Sequence, residues 1–291
     1  MSGPTTSPAA QLGAIEVTGA DAGDFLRAQL TNDVLRLGPD RHFIAAWCDP
    51  KGRTLAVMRV VERGERYILI LPRTLIPGII DRLRMYVLRA RVNLADISST
   101  CQFAGVTSGL LPTVNRTEVS GDLLLLGLPA DCDDRSRALV MAPGGTELPP
   151  GALPIDSDTW QLSDVDAGVP AIYPETQNLF VPQMLNLHWL MAIDFDKGCF
   201  PGQEVVARLH YRGRLTRRLY RLDWSGARPE VGAEITDDSG KRQGTVIRVS
   251  ATAEDAGRLL AVVNVNAAAQ ASLAMPGTAL SMLNLPYATP D

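Results

Sequence analysis

The sequence predicts an α+β fold with mostly antiparallel sheet, followed by a small C-terminal β-barrel. Three observations carry this. Through residue 106, strand-like runs alternate with segments of helical spacing. After Arg212 the chain breaks into five short strand-like runs separated by turn signals. Hydrophobic residues make up 46% of the 291, enough for a packed core, which excludes a disordered chain. At roughly 150 residues per domain, this length implies two domains or three small ones.

Residues 1–10 are polar and small, with prolines, and are expected to form a disordered tail with no signal-peptide character. Ala14–Val17 reads as a strand. Asp21 is placed to cap a helix carrying Phe25, Leu26 and Leu30 at helical spacing. Thr31-Asn32-Asp33 begins another helical turn. Phe43–Cys48 reads as a strand, and Asp49-Pro50-Lys51-Gly52 has type I turn chemistry. Leu55–Val61 and Tyr67–Leu71 are strands joined through Arg63-Gly64. From Ile76 to Arg89 the residues Ile79, Ile80, Leu83, Val87 and Leu88 recur at helical spacing, and Val92–Ile97 returns as a strand. Cys101–Val106 and Leu123–Leu128 are strands. The Pro- and Gly-rich stretch 143–154 is a hinge or loop. Gln203 to Leu209 forms helix. Leu219–Trp224, Glu234–Thr236, Gly244–Val249, Leu259–Asn264 and Ala279–Leu283 are the strands of the barrel.

A net charge of −4 sets no global positive field, which argues against a nucleic-acid coat or membrane-surface binder. No run of about 18 apolar residues exists, so no membrane span is expected, and a cytoplasmic protein is. The four cysteines form no CxxC pair, which argues against an intrinsic zinc ribbon or four-cysteine cluster and fits a reducing compartment. The three histidines show no metal-ligand spacing, and no phosphate-binding glycine loop occurs.

Chemistry concentrates in residues 194–208. Gly198 and Gly202, with Pro201, bracket Cys199 just before a helix-forming run. A thiol near a helix N-terminus meets unpaired N–H groups that favour thiolate, and Lys197 and Arg208 add to that field. A buried, inert cysteine is the competing reading.

The segment Lys197-Gly198-Cys199-Phe200-Pro201-Gly202-Gln203-Glu204 resembles the K-G-C-[FY]-x-G-Q-E signature of the YgfZ family, folate-binding proteins associated with tRNA modification and related to the glycine cleavage T-protein. Thr31-Asn32-Asp33-Val34, Cys48-Asp49-Pro50-Lys51-Gly52, Val181-Pro182-Gln183 with Asn186-Leu187, and Leu285-Pro286-Tyr287 resemble further family segments in order along the chain.

The resemblance implies a T-protein-like fold: two interlocked α+β domains and a C-terminal β-barrel around a central folate channel. In residue terms it implies an N-terminal domain at 11–105 interleaved with 155–212. Part of a second domain then spans 106–154, the motif segment 155–212 closes the channel, and the barrel spans 213–291. It implies tetrahydrofolate or a derivative as ligand, held by Trp160 and Asp166. It further implies a role in assembling or repairing iron–sulfur clusters of selected enzymes, including tRNA-modifying ones. Cys199 is then the functional thiol, with Lys197, Gly198, Gly202, Gln203 and Glu204 shaping its loop. One thiolate cannot saturate a cluster, so any cluster is shared or transient, and carrier or client proteins are the expected partners.

Three departures qualify the resemblance. The stretch Thr54-Leu55-Ala56-Val57 lacks the carboxylate that serves aminomethyl transfer in the T-protein, which argues against that activity and against a conventional enzyme. Asp166 stands where relatives have a longer glutamate, and Leu12 where they have an aromatic. Arg208, Arg212, Arg214, Arg217, Arg218 and Arg221 form one basic run, and Arg82, Arg84, Arg89 and Arg91 another. A solvated face is the plain reading. Arg208 at a channel mouth, holding a folate carboxylate tail, is the sharper one. A one-carbon transferase, a tRNA-binding module and a purely structural protein are the alternatives. No known RNA-binding module accompanies the arginine runs.

Overall fold

The computed structural model describes residues 11–270 and 273–289. The expected tail at 1–10 lies outside the described residues. Strands β1 (Leu12–Thr18), β2 (His42–Cys48), β3 (Thr54–Arg63), β4 (Arg66–Pro72) and β5 (Asn93–Asp96) form an antiparallel sheet in the order β2-β3-β4-β1-β5. Helices α1 (Ala22–Gln29) and α2 (Ile76–Val87) follow β1 and β4. The turn between β2 and β3 closes as its sequence requires, with Gly52 N–H donating to the Asp49 carbonyl at 2.9 Å. This sheet is covered on both faces, and β4 shows how. Leu69 and Leu71 join the core shared with α1 and α2, whereas Ile68 and Ile70 join a second core with Leu126 and Leu139.

Two local expectations change. Asp21 precedes α1 but does not cap it, because its carboxylate is taken by the backbone N–H and guanidinium of Arg91. Helix α2 stops before Arg89, at Leu88, whose φ of 45° leaves the helical region.

The second antiparallel sheet comprises β6 (Cys101–Val106), β7 (Thr117–Ser120), β8 (Leu123–Leu128), β9 (Arg137–Pro143) and β10 (Leu153–Pro154), in the order β10-β6-β9-β8-β7. The boundary expected between 105 and 106 falls inside β6. Helix α3 (Asp158–Asp166) follows, with the Ser157 hydroxyl accepting from Trp160 N–H at its start. A Cβ on Gly105 would overlap the Trp160 ring, so the glycine lets the indole lie flat on β6.

After helix α4 (Gln203–Arg212) comes the third antiparallel sheet: β11 (Arg217–Gly226), β12 (Glu234–Thr236), β13 (Arg242–Ala253), β14 (Ala256–Asn264) and β15 (Thr278–Leu283), with α5 (Val265–Ala269) between the last two. Its order is β12-β13-β14-β11-β15. Among the described residues β12 and β15 share no ladder. Their edges are linked instead by the bridges Thr236–Ala274 and Met275–Thr278, so the sheet is a curled half-barrel with a stitched seam. Among the described residues no helix is long and apolar enough to cross a membrane.

Candidate functional site

Cys199 is the exposed one of the four thiols, on a loop that several distant segments hold in place. The Lys197 ammonium is buried beneath it. It donates to the carbonyls of Arg27 at 2.6 Å and Leu30 at 2.8 Å, at the C-terminus of α1, where unpaired carbonyls favour a cation. It also lies 4.7 Å from the Phe200 ring centre. Burial pulls its pKa down to about 8.

Gly202 adopts φ +79°, and a Cβ there would overlap Gly52, so the loop is seated on the Asp49–Gly52 turn. Gln203 opens α4, its N–H donating to the Phe200 carbonyl at 3.1 Å. Upstream, Thr31 and Asn32 pin the approach to the loop. The Thr31 hydroxyl donates to Ala192 O at 2.7 Å and Asn32 donates to Met191 O at 2.9 Å. Gln183 donates to Val206 O in α4 at 2.6 Å. Asn186 donates to Leu219 O and to the Tyr287 hydroxyl, which in turn donates to Gly168 O. The segments that look separate in the sequence therefore form one scaffold behind Cys199. Glu204 and Arg208 face solvent and pair with each other, one turn apart.

Trp160 and Asp166 lead elsewhere. A central cavity of about 70 Å³ lies where the three sheets meet. Leu12, Met58, Arg59 and Ile70 wall it from the first sheet, Leu128 and Leu139 from the second, and Arg248 from the third. Trp160 and Asp164 of α3 and Tyr173 complete it. Asp166 is not among these residues. It is buried with its oxygens held by Arg258 at 2.7 and 2.8 Å and by Arg221 at 3.2 Å, so its acceptors join α3 to the third sheet instead of facing a ligand. Arg221 is thus a structural partner and not part of a solvated arginine face.

Asp164, two residues earlier, is the carboxylate at the cavity. Its oxygens accept from Arg137 and Arg248, each at 2.6 Å. Burial raises its pKa, but the Arg248, Arg137 and Arg59 guanidiniums more than offset this and hold it below the ordinary carboxylate value. Three guanidiniums surround one carboxylate. Arg59 Nη1 and Arg137 Nη2 are buried without a hydrogen-bond acceptor. Burial lowers the Arg59 pKa to about 10. Arg248 also donates to Gln161 and to the Val169 carbonyl.

Sequence reasoning missed Asp164, Arg59, Arg137, Arg248 and Tyr173. The available signal was charge inside otherwise apolar strands, as with Arg59 in Val57-Met58-Arg59-Val60-Val61 and Arg248 in Val246-Ile247-Arg248-Val249. Neither Cys199 nor Arg208 lines the cavity, so the structure presents two sites and not one. Among the described residues no group of three or more His, Cys, Asp or Glu side chains is placed to hold a metal ion.

The chain is similar to known proteins over most of its length. An uncharacterized protein of Haemophilus influenzae is 35% identical over 224 residues, covering 76% of this chain and 74% of that one. The tRNA-modifying protein YgfZ of Cronobacter sakazakii is 31% identical over 274 residues, covering 86% and 81%. The YgfZ of Yersinia enterocolitica is 31% identical over 297 residues, covering 94% and 89%. No protein-family model matches. Among solved structures, the glycine cleavage system aminomethyltransferase T from Bartonella henselae superposes with a TM-score of 0.70 at 15% identity, covering 96% of this chain and 84% of that one, a likeness of fold. With identity above 30% across nearly the whole chain, this protein belongs to the YgfZ family, and its fold is that of the T-protein.

Proposed function

We propose that this protein is a cytoplasmic folate-binding accessory factor that uses Cys199 to support iron–sulfur clusters in selected enzymes, tRNA-modifying ones among them. One observation carries the reading: a single exposed thiol stands on a loop immobilised by a buried lysine and a glycine seat, outside the central cavity. A thiol so displayed acts on another protein. A cluster needs four ligands, so Cys199 supplies one and the partner supplies the rest.

The cavity's donor set suits a folate. Asp164 offers carboxylate lone pairs to ring N–H groups, Trp160 an aromatic wall, and the unfilled Arg59 Nη1 group seeks an acceptor such as a ring carbonyl. About 70 Å³ holds only a few waters, so a bicyclic ring enters when the cavity walls part. Buried Thr54 to Val57 offers no carboxylate for amine chemistry, which disfavours aminomethyl transfer.

The test is complementation. A strain lacking the gene should lose iron–sulfur-dependent tRNA modification and regain it with the wild-type chain but not with Cys199→Ala. Full rescue by Cys199→Ala overturns the thiol role. In parallel, Asp164→Asn should weaken tetrahydrofolate binding by calorimetry. Unchanged binding, or none by the wild type, overturns the cavity assignment.

A further inference from the structure

We infer that the two clefts flanking Trp189 form a docking surface for unpaired RNA, whose bases stack on aromatic side chains while arginines hold the phosphates. This rests on the tRNA link in the reading above and adds direct contact with RNA, which that reading does not require. One cleft, of about 800 Å³, is lined by Arg36, Arg41, Phe195 and Tyr211. The other, of about 770 Å³, is lined by Arg214, Arg218 and Tyr220. His188, Trp189 and His210 wall both.

The aromatics are already arranged for stacking. Phe195 lies on His210 with ring centres 3.8 Å apart and planes at 13°. Tyr211 stands edge-on to His210 at 4.8 Å and is 66% exposed, and His210 is exposed beside it. Arg218 lies over Trp189 at 5.9 Å and over Tyr220 at 5.1 Å, so cation and ring faces interleave. Two carboxylates share the first cleft. Asp194 is paired with Arg36 at 2.8 Å, and Asp196 is exposed at its margin. Four arginines against two aspartates leave a local positive excess on a chain of net charge −4.

In the sequence the arginine run already carries His210, Tyr211 and Tyr220 between its arginines. The fold adds to them, bringing Trp189 and Phe195 from the 189–195 segment against α4 and β11. Ring faces paired with guanidiniums are the chemistry of single-strand binding, because only unpaired bases expose a face to stack. Phe195 also places this surface four residues from Cys199.

Fluorescence anisotropy of the full chain with a labelled single-stranded RNA of about 12 nucleotides, at roughly 50 mM salt, tests the inference. Saturable binding is expected, with a log affinity against log salt slope of roughly −2 to −3. His210→Ala with Tyr211→Ala should weaken it about ten-fold or more. Arg41→Ala with Arg214→Ala should flatten the slope by about 1 or more. Arg82→Ala with Arg84→Ala, in the other arginine group, should change nothing. These side chains are exposed, and unchanged melting confirms the fold.

No binding at low salt overturns the inference. So does indifference to His210→Ala/Tyr211→Ala or an equal loss in the Arg82/Arg84 control. Binding as tight to duplex RNA, to DNA of the same sequence or to an acidic peptide overturns it as well. None of these variants touches the cavity or Cys199, so failure here leaves tetrahydrofolate binding and Cys199-dependent rescue standing.

Discussion

The Lys197 ammonium donates to the Leu30 carbonyl at 2.8 Å across 167 residues of sequence, tying the Cys199 loop to the end of α1. Burial lowers the folded pKa to about 8, against 10.5 in its ordinary state. Replacing Lys197 by Met strands two carbonyls at a helix end and should cost about 1.5–3 kcal/mol, read by urea denaturation. The pH dependence fixes the sign. Between pH 8 and 10.5 the unfolded lysine binds more proton than the folded one, so its contribution to stability grows as pH rises through that window. The stability gap between wild type and Lys197→Met should therefore widen in favour of the wild type there. A gap that narrows contradicts the buried ammonium.

Gly198 and Gly202 look alike in the sequence but differ in what they permit. Gly202→Ala forces a side chain onto Gly52 and the Asp49 carbonyl at φ +79°, and should destabilise by about 1–3 kcal/mol. A Cβ on Gly198 meets nothing within 4 Å and its φ is ordinary, so Gly198→Ala should leave melting unchanged within about 0.5 kcal/mol. Equal losses in the two variants would place the loop differently.

How far the sequence could be read follows the periodicity of each element. The strand Glu234–Thr236 agrees with its observed bounds because alternation and flanking turns mark it. The strand at Leu123–Leu128 agrees as a short apolar run bounded by Gly121 and Pro129. Strand β9 went unread because it is central and buried on both faces, so Arg137–Ala142 shows no alternation. Helix α3 hid for the complementary reason. It is enclosed by neighbours on several sides and buries Gln161, Ser163, Asp164 and Asp166 as polar links, so it has no apolar stripe. That helix carries the cavity carboxylate, which is why motif reading reached Cys199 but chose Asp166 over Asp164.

The thiols should separate by accessibility. Cys199 is exposed, Cys101 and Cys132 are half-buried, and Cys48 is buried, with its pKa pushed far up by burial. Limited iodoacetamide treatment followed by peptide mass spectrometry should label Cys199 first and Cys48 last. Cys199→Ala should then remove the fast phase and leave melting unchanged. Early labelling of Cys48 contradicts the packing of β2.

Asp166 and Asp164 should respond differently to neutralisation. Asp166 sits between Arg221 and Arg258 away from the cavity, so Asp166→Ala leaves Arg221 unpaired in the interior and should cost about 3–5 kcal/mol. Asp166→Asn keeps the shape and some hydrogen bonding and should cost less, while tetrahydrofolate affinity stays at the wild-type level. Asp164→Asn should lower that affinity. An affinity loss confined to Asp166→Asn would return the ligand to Asp166.

Acid should destabilise the fold through its buried imidazoles. His42 donates from Nε2 to the Gly127 carbonyl at 2.9 Å, while Nδ1 is buried without a partner, so the neutral tautomer fits and the cation does not. Burial, then the Arg59 charge, lowers its pKa to about 3, and burial lowers that of His188 to about 4. Both values lie below the ordinary 6.5, so the unfolded chain binds more protons as pH falls. The stability that these groups confer is complete above pH 6.5 and is lost progressively toward pH 4. Urea midpoints at pH 7 and pH 5 should therefore fall for the wild type. His42→Gln cannot titrate. Its midpoint at pH 7 should be lower for want of a well-fitted donor, and its further loss at pH 5 should be smaller than that of the wild type. An equal loss in both would assign the acid sensitivity to carboxylates instead.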